Sequence, residues 1–101
     1  MRLSLQTLKL LNAFLEAPSE PRYGLELMGH TGLKSGTIYP ALHRLESEGW
    51  LRSWSEELDA SEAGRPPRRL YELTPNGTAA ALAAVEPFRA PPPVVLKPRP
   101  A

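Results

Sequence analysis

Leucines recur through the first part of the chain at the spacing of a helix. In LSLQTLKLLNAFLEA, Leu5, Leu8, Leu11 or Asn12, and Leu15 follow an i, i+3, i+7, i+10 pattern. Leu10 and Phe14 widen that stripe, so a first helix of about three to four turns is predicted, with Pro18 and Pro21 stopping it. A second, short helix begins near Tyr23, places Tyr23 and Leu27 one turn apart and ends at HTGL. There Gly32 can take the left-handed position after the last turn, and Leu33 folds back onto that turn. A third helix follows at once. It starts at Ser35, read as the N-cap, and ends at ESEGW, with Gly49 just beyond its last turn and Trp50 placed to pack on Leu45.

The pattern then changes. WLRSWSEE and RRLYELT are rich in aromatic and apolar strand formers, and Tyr71 and Leu73 share one face, so both segments read as strands. The segment between them holds Gly64, Pro66 and Pro67, which suits a hairpin with a long, mobile tip. In TPNGTAAALAAVEPF, Thr74 is the N-cap and Pro75 the first helical residue of a last helix over about 74–88. Leu82, Val85 and Phe88 fall on one side of it, and that side needs a cover. From Pro91 onward five of eleven residues are proline, a composition that cannot build a core, so 91–101 is expected to be an extended or disordered tail. Residues 1–90 therefore form one domain, mainly α with a small β-hairpin. Helix, helix, tight turn, helix, hairpin, helix is the order of a winged helix-turn-helix, with the first and last helices available for dimerisation.

Within this scheme KSGTIYPALHRL is an anomaly, because a helix is required where Gly36 and Pro40 stand. At 100° per residue Ile38, Leu42 and Leu45 fall on one side. The other side centres on Gly36, Pro40, His43 and Ser47, flanked by Thr37, Tyr39 and Arg44. Both helix-weakening residues thus share the outward face. Glycine there lets the backbone approach another molecule, and proline in the first two turns costs less than deeper in a helix, although it frees the Gly36 carbonyl. No glutamate stands three residues after Ser35, so no carboxylate competes with an anion at this helix start. Lys34, Ser35 and Thr37 are candidates for phosphate or base edges, with Gly36 and Pro40 allowing close approach. His43 and Arg44 would reach groove edges or flanking backbone. Tyr39 borders the buried arc, so packing on a sugar or thymine methyl and a core or dimer role both stay open. Arg44 can equally be a solvated charge paired with Glu48.

Composition sharpens this picture at one place. The chain has 101 residues, no cysteine and a net charge of +1. Absence of cysteine excludes disulfides and cysteine-ligated zinc and favours a reducing compartment, and Gln6, Lys9 and Asn12 break any signal-peptide core. Divided along the chain, charge is uneven: residues 1–50 hold five Lys/Arg and five Asp/Glu, 51–64 hold one and four, and 65–101 hold six and two. The basic excess is densest in GRPPRR, where Arg65, Arg68 and Arg69 can follow a phosphate backbone or put Arg65 into a minor groove; the plainer alternative is a solvated basic loop. The acidic run EELDASE is expected to point away from that partner. His30 and His43 lack a second ligand at metal spacing, so no metal is assigned. Trp50 and Trp54 are expected to pack the wing onto the helices. No nucleophile–base pair or phosphate loop stands at interpretable spacing, so neither an enzyme nor a cofactor is expected.

YGLELMGHTGLKSGTIYPALHRLESEGWLRSWSEE followed by GRPPRRLYELTPNG resembles the PadR family of bacterial winged-helix transcription regulators, over roughly residues 5–78. SGTIYPALHRLESEGW corresponds to the family's recognition helix, and GRPPRRLYELTPNG to its second wing strand and the start of the last helix. The resemblance implies a homodimer on double-stranded DNA, usually a repressor on a pseudo-palindromic operator, located in the cytoplasm with the nucleoid. It implies DNA contacts by Lys34, Ser35, Thr37, Tyr39, Pro40, His43 and the Arg65–Arg69 segment. It also implies a subunit interface of first and last helices, here Leu5, Leu8, Leu82, Val85 and Phe88. Many relatives continue past the position of Gly77 into a longer helix or larger domain, whereas a proline block begins here at Pro91, so the chain looks like the short type and no particular effector is assigned. A protein-interaction module using the last helix and the tail, with no role in DNA binding, is the competing expectation.

Overall fold

The computed structural model describes residues 2–88. The proline-rich tail expected at 91–101 lies outside them. Along the chain come α1 (Leu5–Leu15), β1 (Arg22–Tyr23), α2 (Gly24–Thr31), α3 (Ser35–Ser47), β2 (Leu51–Ser55), α4 (Ala60–Ala63), β3 (Arg69–Leu73), α5 (Pro75–Val85) and a 3-10 turn (Glu86–Phe88). No helix among the described residues is long and apolar enough to cross a membrane.

Local chemistry accounts for most helix ends. Ser4 caps α1, its hydroxyl accepting the Thr7 N–H at 3.1 Å, which satisfies one of the amides a helix start leaves open. Thr74 caps α5 in the same way, accepting from the Gly77 N–H at 2.9 Å, and Pro75 supplies a first residue that needs no N–H. After α2 the chain turns at Gly32, whose φ of 71° lies in the left-handed region. At the end of α3, Gly49 has φ 76°; its N–H donates to the Glu46 carbonyl and the Trp50 N–H donates to that of Leu45, a Schellman ending. The start of α3 differs from expectation. Lys34, not Ser35, is the N-cap: its backbone is extended and its carbonyl accepts the first i→i−4 bond, from Ile38 at 3.0 Å. Ser35 is already helical, and no side chain caps this end.

The core is one cluster in which Leu10, Leu11, Phe14, Leu27, Ile38, Leu42 and Leu45 are fully buried, with Leu51, Leu73, Ala81 and Val85 joining from the sheet and α5. Two helical faces are turned from their expected phase. On α1 the buried side is Thr7, Leu10, Leu11, Ala13 and Phe14, while Leu5 is 68% exposed. Five leucines and a phenylalanine are too many for one stripe, so packing chooses which of them turn inward. On α5 the buried side is Gly77, Ala81 and Val85; Leu82 and Phe88 face outward. Small residues win there because the start of α5 lies against backbone: a Cβ on Gly77 would run into the Trp50 carbonyl. That same carbonyl accepts the Thr74 N–H at 3.0 Å, which fixes α5 to the β2 entry.

The expected hairpin is part of a three-stranded antiparallel sheet in the order β1-β3-β2. β3 pairs with β2 from Leu51↔Leu73 to Ser55↔Arg69, and β1 adds Arg22↔Tyr71 and Tyr23↔Leu70. The period of two puts Leu51 and Leu73 on the core side, with Ser53, Tyr71 and Arg69 continuing that face outward along the wing. Trp50 packs against the core as expected, whereas half-buried Trp54 lies on the opposite face with the Arg52 guanidinium 5.3 Å from its ring centroid. The wing tip is built, not loose: Asp59 caps α4 through Ser61 and Glu62, and Gly64 ends it with φ 70°.

Candidate nucleic-acid interface

α3 divides as its spacing predicts. Ile38, Ala41, Leu42 and Leu45 are buried, whereas Lys34, Ser35, Gly36, Thr37, Tyr39, Pro40, His43, Arg44 and Ser47 are all exposed along the outward side. Its first turn holds no acidic residue. Uncapped N–H groups and the helix dipole make that end attractive to an anion. No atom outside α3's own backbone lies within 4 Å of where a Cβ on Gly36 would stand, so the glycine is not required by internal packing. Among the described residues Arg44 forms no ion pair with Glu48, which leaves its charge on the exposed face.

Tyr39 is 45% exposed, and its ring reaches α2: a Cβ on Gly24 would collide with the phenol. The tyrosine therefore belongs to the joint between α2 and α3 while keeping one face open. His30, by contrast, faces α1 and β1, with Nδ1 3.9 Å from Glu16 and Nε2 3.5 Å from the Arg22 guanidinium.

The three arginines of the wing have different surroundings. Arg65 donates to both Glu56 carboxylate oxygens, at 2.8 and 3.3 Å. The Arg68 backbone N–H reaches the same carboxylate at 3.3 Å. These bonds, the guanidinium first, hold the Glu56 carboxyl below its usual range. Part of the acidic run thus turns toward the arginines and neutralises one of them, contrary to its expected direction. Spacing could not have shown this, because α4 folds the chain back between the partners. Arg68 lies with its guanidinium 4.2 Å from the Tyr23 ring centroid, and Arg69 donates to the Ser53 hydroxyl at 3.0 and 3.1 Å. Ser53 in turn donates to Glu46 on α3. Behind them Tyr71 is half-buried, and burial, then the Glu46 carboxylate, push its phenol up, so it remains a neutral donor at ordinary pH.

Tyr23, Gly24 and Leu25 lie outside the site expected from the sequence, yet with Tyr39, Pro67, Arg68 and Arg69 they line one groove of about 290 Å³. Of the residues expected at a subunit interface, Leu5, Leu82 and Phe88 are exposed at 68%, 41% and 70%, and Leu8 is half-buried. Val85 is a member of the chain's own core, because the inward side of α5 is the one that carries it.

Comparison with known proteins fits this layout. Residues 13–83 match the transcriptional regulator PadR-like family. Over 45 residues the chain is 51% identical to the transcriptional regulator Rv3488 of Mycobacterium tuberculosis, a stretch covering 45% of this chain and 37% of that protein. Among solved structures, a PadR-like transcription factor from Bacteroides fragilis superposes with a TM-score of 0.64 at 23% identity, covering 82% of each chain. The transcriptional regulator BldR from Sulfolobus solfataricus gives a TM-score of 0.67 at 28% identity, covering 85% of this chain and 55% of that one. With the family match spanning α2, α3, the wing and most of α5, this chain belongs to the PadR-like family of transcriptional regulators.

Proposed function

We propose that the protein is a sequence-specific regulator that binds double-stranded DNA as a homodimer and represses transcription from a pseudo-palindromic operator. The observation that carries this reading is the outward side of α3: nine exposed positions from Lys34 to Ser47, slim at Gly36 and Pro40, with no acidic residue in the first turn. An α-helix of this kind fits the major groove, where Thr37, His43 and Arg44 would meet base edges and Lys34 and Ser35 the phosphates. Arg68 and Arg69 supply the wing's salt-dependent contacts, and Arg65 joins them only when a phosphate displaces Glu56.

Exposed Leu5, Leu82 and Phe88 on α1, α5 and the turn after it support the homodimer, since α1 and α5 pack against each other and present these side chains outward. Two α3 helices related by a twofold axis would read half-sites about 34 Å apart. Repression is the mode the family resemblance implies, and a protein acting on chromosomal DNA works in the cytoplasm. The experiment is a gel shift against genomic fragments, the gene's own upstream region first. A discrete complex resistant to excess non-specific competitor is expected. Indifference to every fragment, with α1 and α5 instead capturing another protein, would replace this reading with the interaction module.

A further inference from the structure

We infer that Glu46 is a positioning residue: through the Ser53 hydroxyl it holds the Arg69 guanidinium at a fixed setting relative to α3, and operator affinity depends on that setting. This rests on the DNA-binding reading and adds to it a residue set back from the exposed side of α3. Three elements meet at this point. Glu46 stands half-buried in the last turn of α3, Ser53 is the middle residue of β2, and Arg69 opens β3. Register brings Ser53 opposite Tyr71 and Ser55 opposite Arg69, so Arg69 lies diagonally from Ser53 on one face of the sheet.

The Ser53 hydroxyl is fully used. Arg69 donates to it from Nε at 3.1 Å and from a terminal nitrogen at 3.0 Å, and Ser53 donates its own proton to the Glu46 carboxylate. A serine hydroxyl has one proton and two lone pairs; with the proton committed to Glu46, both lone pairs are left for the guanidinium. Glu46 thus sets the direction of the hydroxyl, and the hydroxyl sets the place of the arginine. Among the described residues neither Glu46 nor Arg69 forms a direct ion pair, in contrast to Arg52 with Glu72 and Arg65 with Glu56. A carboxylate in contact with Arg69 would hold it but offset its charge. A neutral oxygen between the two holds the fork and leaves the charge for an anion. Arg69 is exposed, and Ser53 takes two of its five N–H donors. Tyr71 brings no second negative charge, since burial, then the Glu46 carboxylate, keep its phenol neutral. A long side chain ordered before association escapes the ordering cost that a free arginine meets on binding.

The test compares wild type, Glu46→Ala, Glu46→Gln, Ser53→Ala and Arg69→Ala, with double variants that add Arg69→Ala to each of the other alanine changes. Each is melted and then titrated with the selected genomic duplex by fluorescence anisotropy. Removing a carboxylate should, by charge alone, tighten binding to DNA. The relay reverses that sign. Glu46→Ala and Ser53→Ala are each expected to weaken binding roughly three- to tenfold, and to have no further effect once residue 69 is alanine. Glu46→Gln, whose amide oxygen still accepts from Ser53, should bind close to wild type. In the free protein the Arg69 Nε–H resonance should exchange slowly with water in wild type and Glu46→Gln, and rapidly in Glu46→Ala, with backbone amides of the core unaffected. Unchanged or tighter binding by Glu46→Ala or Ser53→Ala, or a loss that persists when residue 69 is alanine, overturns the positioning role while DNA binding by α3 stands. Rapid Nε–H exchange already in wild type does the same. Failure of wild type to bind any duplex overturns the parent reading, and this role with it.

Discussion

Gly36→Ala separates what the protein's own stability requires from what a partner requires. Gly36 is helical, exposed, and has nothing beyond α3's own backbone within 4 Å of an added Cβ, so alanine meets no obstacle inside the molecule. Alanine is favoured over glycine inside a helix by about 0.5–1 kcal/mol, because glycine loses more backbone freedom on folding. For a domain of this size that gain corresponds to a rise in melting temperature of about 2–8 °C. Against DNA the sign reverses. If the backbone at Gly36 lies at van der Waals distance from the duplex, an extra methyl acts like overpacking, worth roughly 1–3 kcal/mol, or about a 5- to 150-fold loss of affinity. The residue carries no charge, so the salt dependence should not change. Calorimetric melts and anisotropy titrations of both proteins read the two quantities. A variant that melts higher and binds the operator as tightly as wild type would refute the claim that this face is slim for the sake of a duplex.

Gly77→Ala is the opposite case: its Cβ would meet the Trp50 carbonyl, so α5 must move off the β2 entry, at a cost of about 1–3 kcal/mol or more, read as a melting point lower by on the order of 10 °C. Leu82→Glu combined with Phe88→Glu changes two exposed side chains and should leave the melt nearly intact while shifting sedimentation from dimer to monomer; an unchanged dimer would remove these residues from the interface. Glu56 has its folded pKa depressed from an ordinary 4.5 by Arg65, so its contribution to the wing tip is full above that value and is lost as pH falls through the lower, folded value. Amide exchange at residues 59–68, taken relative to its intrinsic rate at each pH, should therefore rise in acid in wild type. In Glu56→Gln it should be fast already at neutral pH, and protection equal to wild type would show that the pair does not hold the tip.

Much of the site was legible because its signals are local. Helix phase in α3 needs only the spacing of Ile38, Leu42 and Leu45, and that spacing places Gly36, Pro40 and His43 outward whatever else the chain does. Gly32, Gly49 and Thr74 mark ends through bonds within a few residues. The Lys34 and Ser35 exchange at the N-cap is a shift of one residue, the usual scale of uncertainty for helix ends.

The order of elements, the buried and exposed sides of α3, and the turns between helices follow from the amino acids alone, since each depends on contacts within a turn or two of chain. The remaining features arise only when the elements pack together. β1 is two residues long and has no pattern of its own; it exists because β3 is there to pair with it. α1 turns Leu10, Leu11 and Phe14 inward and α5 turns Gly77, Ala81 and Val85 inward, because close packing selects shape where hydrophobic residues exceed the room for them. Glu56 meets Arg65, and Tyr39 meets Gly24, across folds of the chain that no spacing rule spans. Local hydrogen bonding and periodicity act over a few residues, whereas burial is settled by the whole molecule at once.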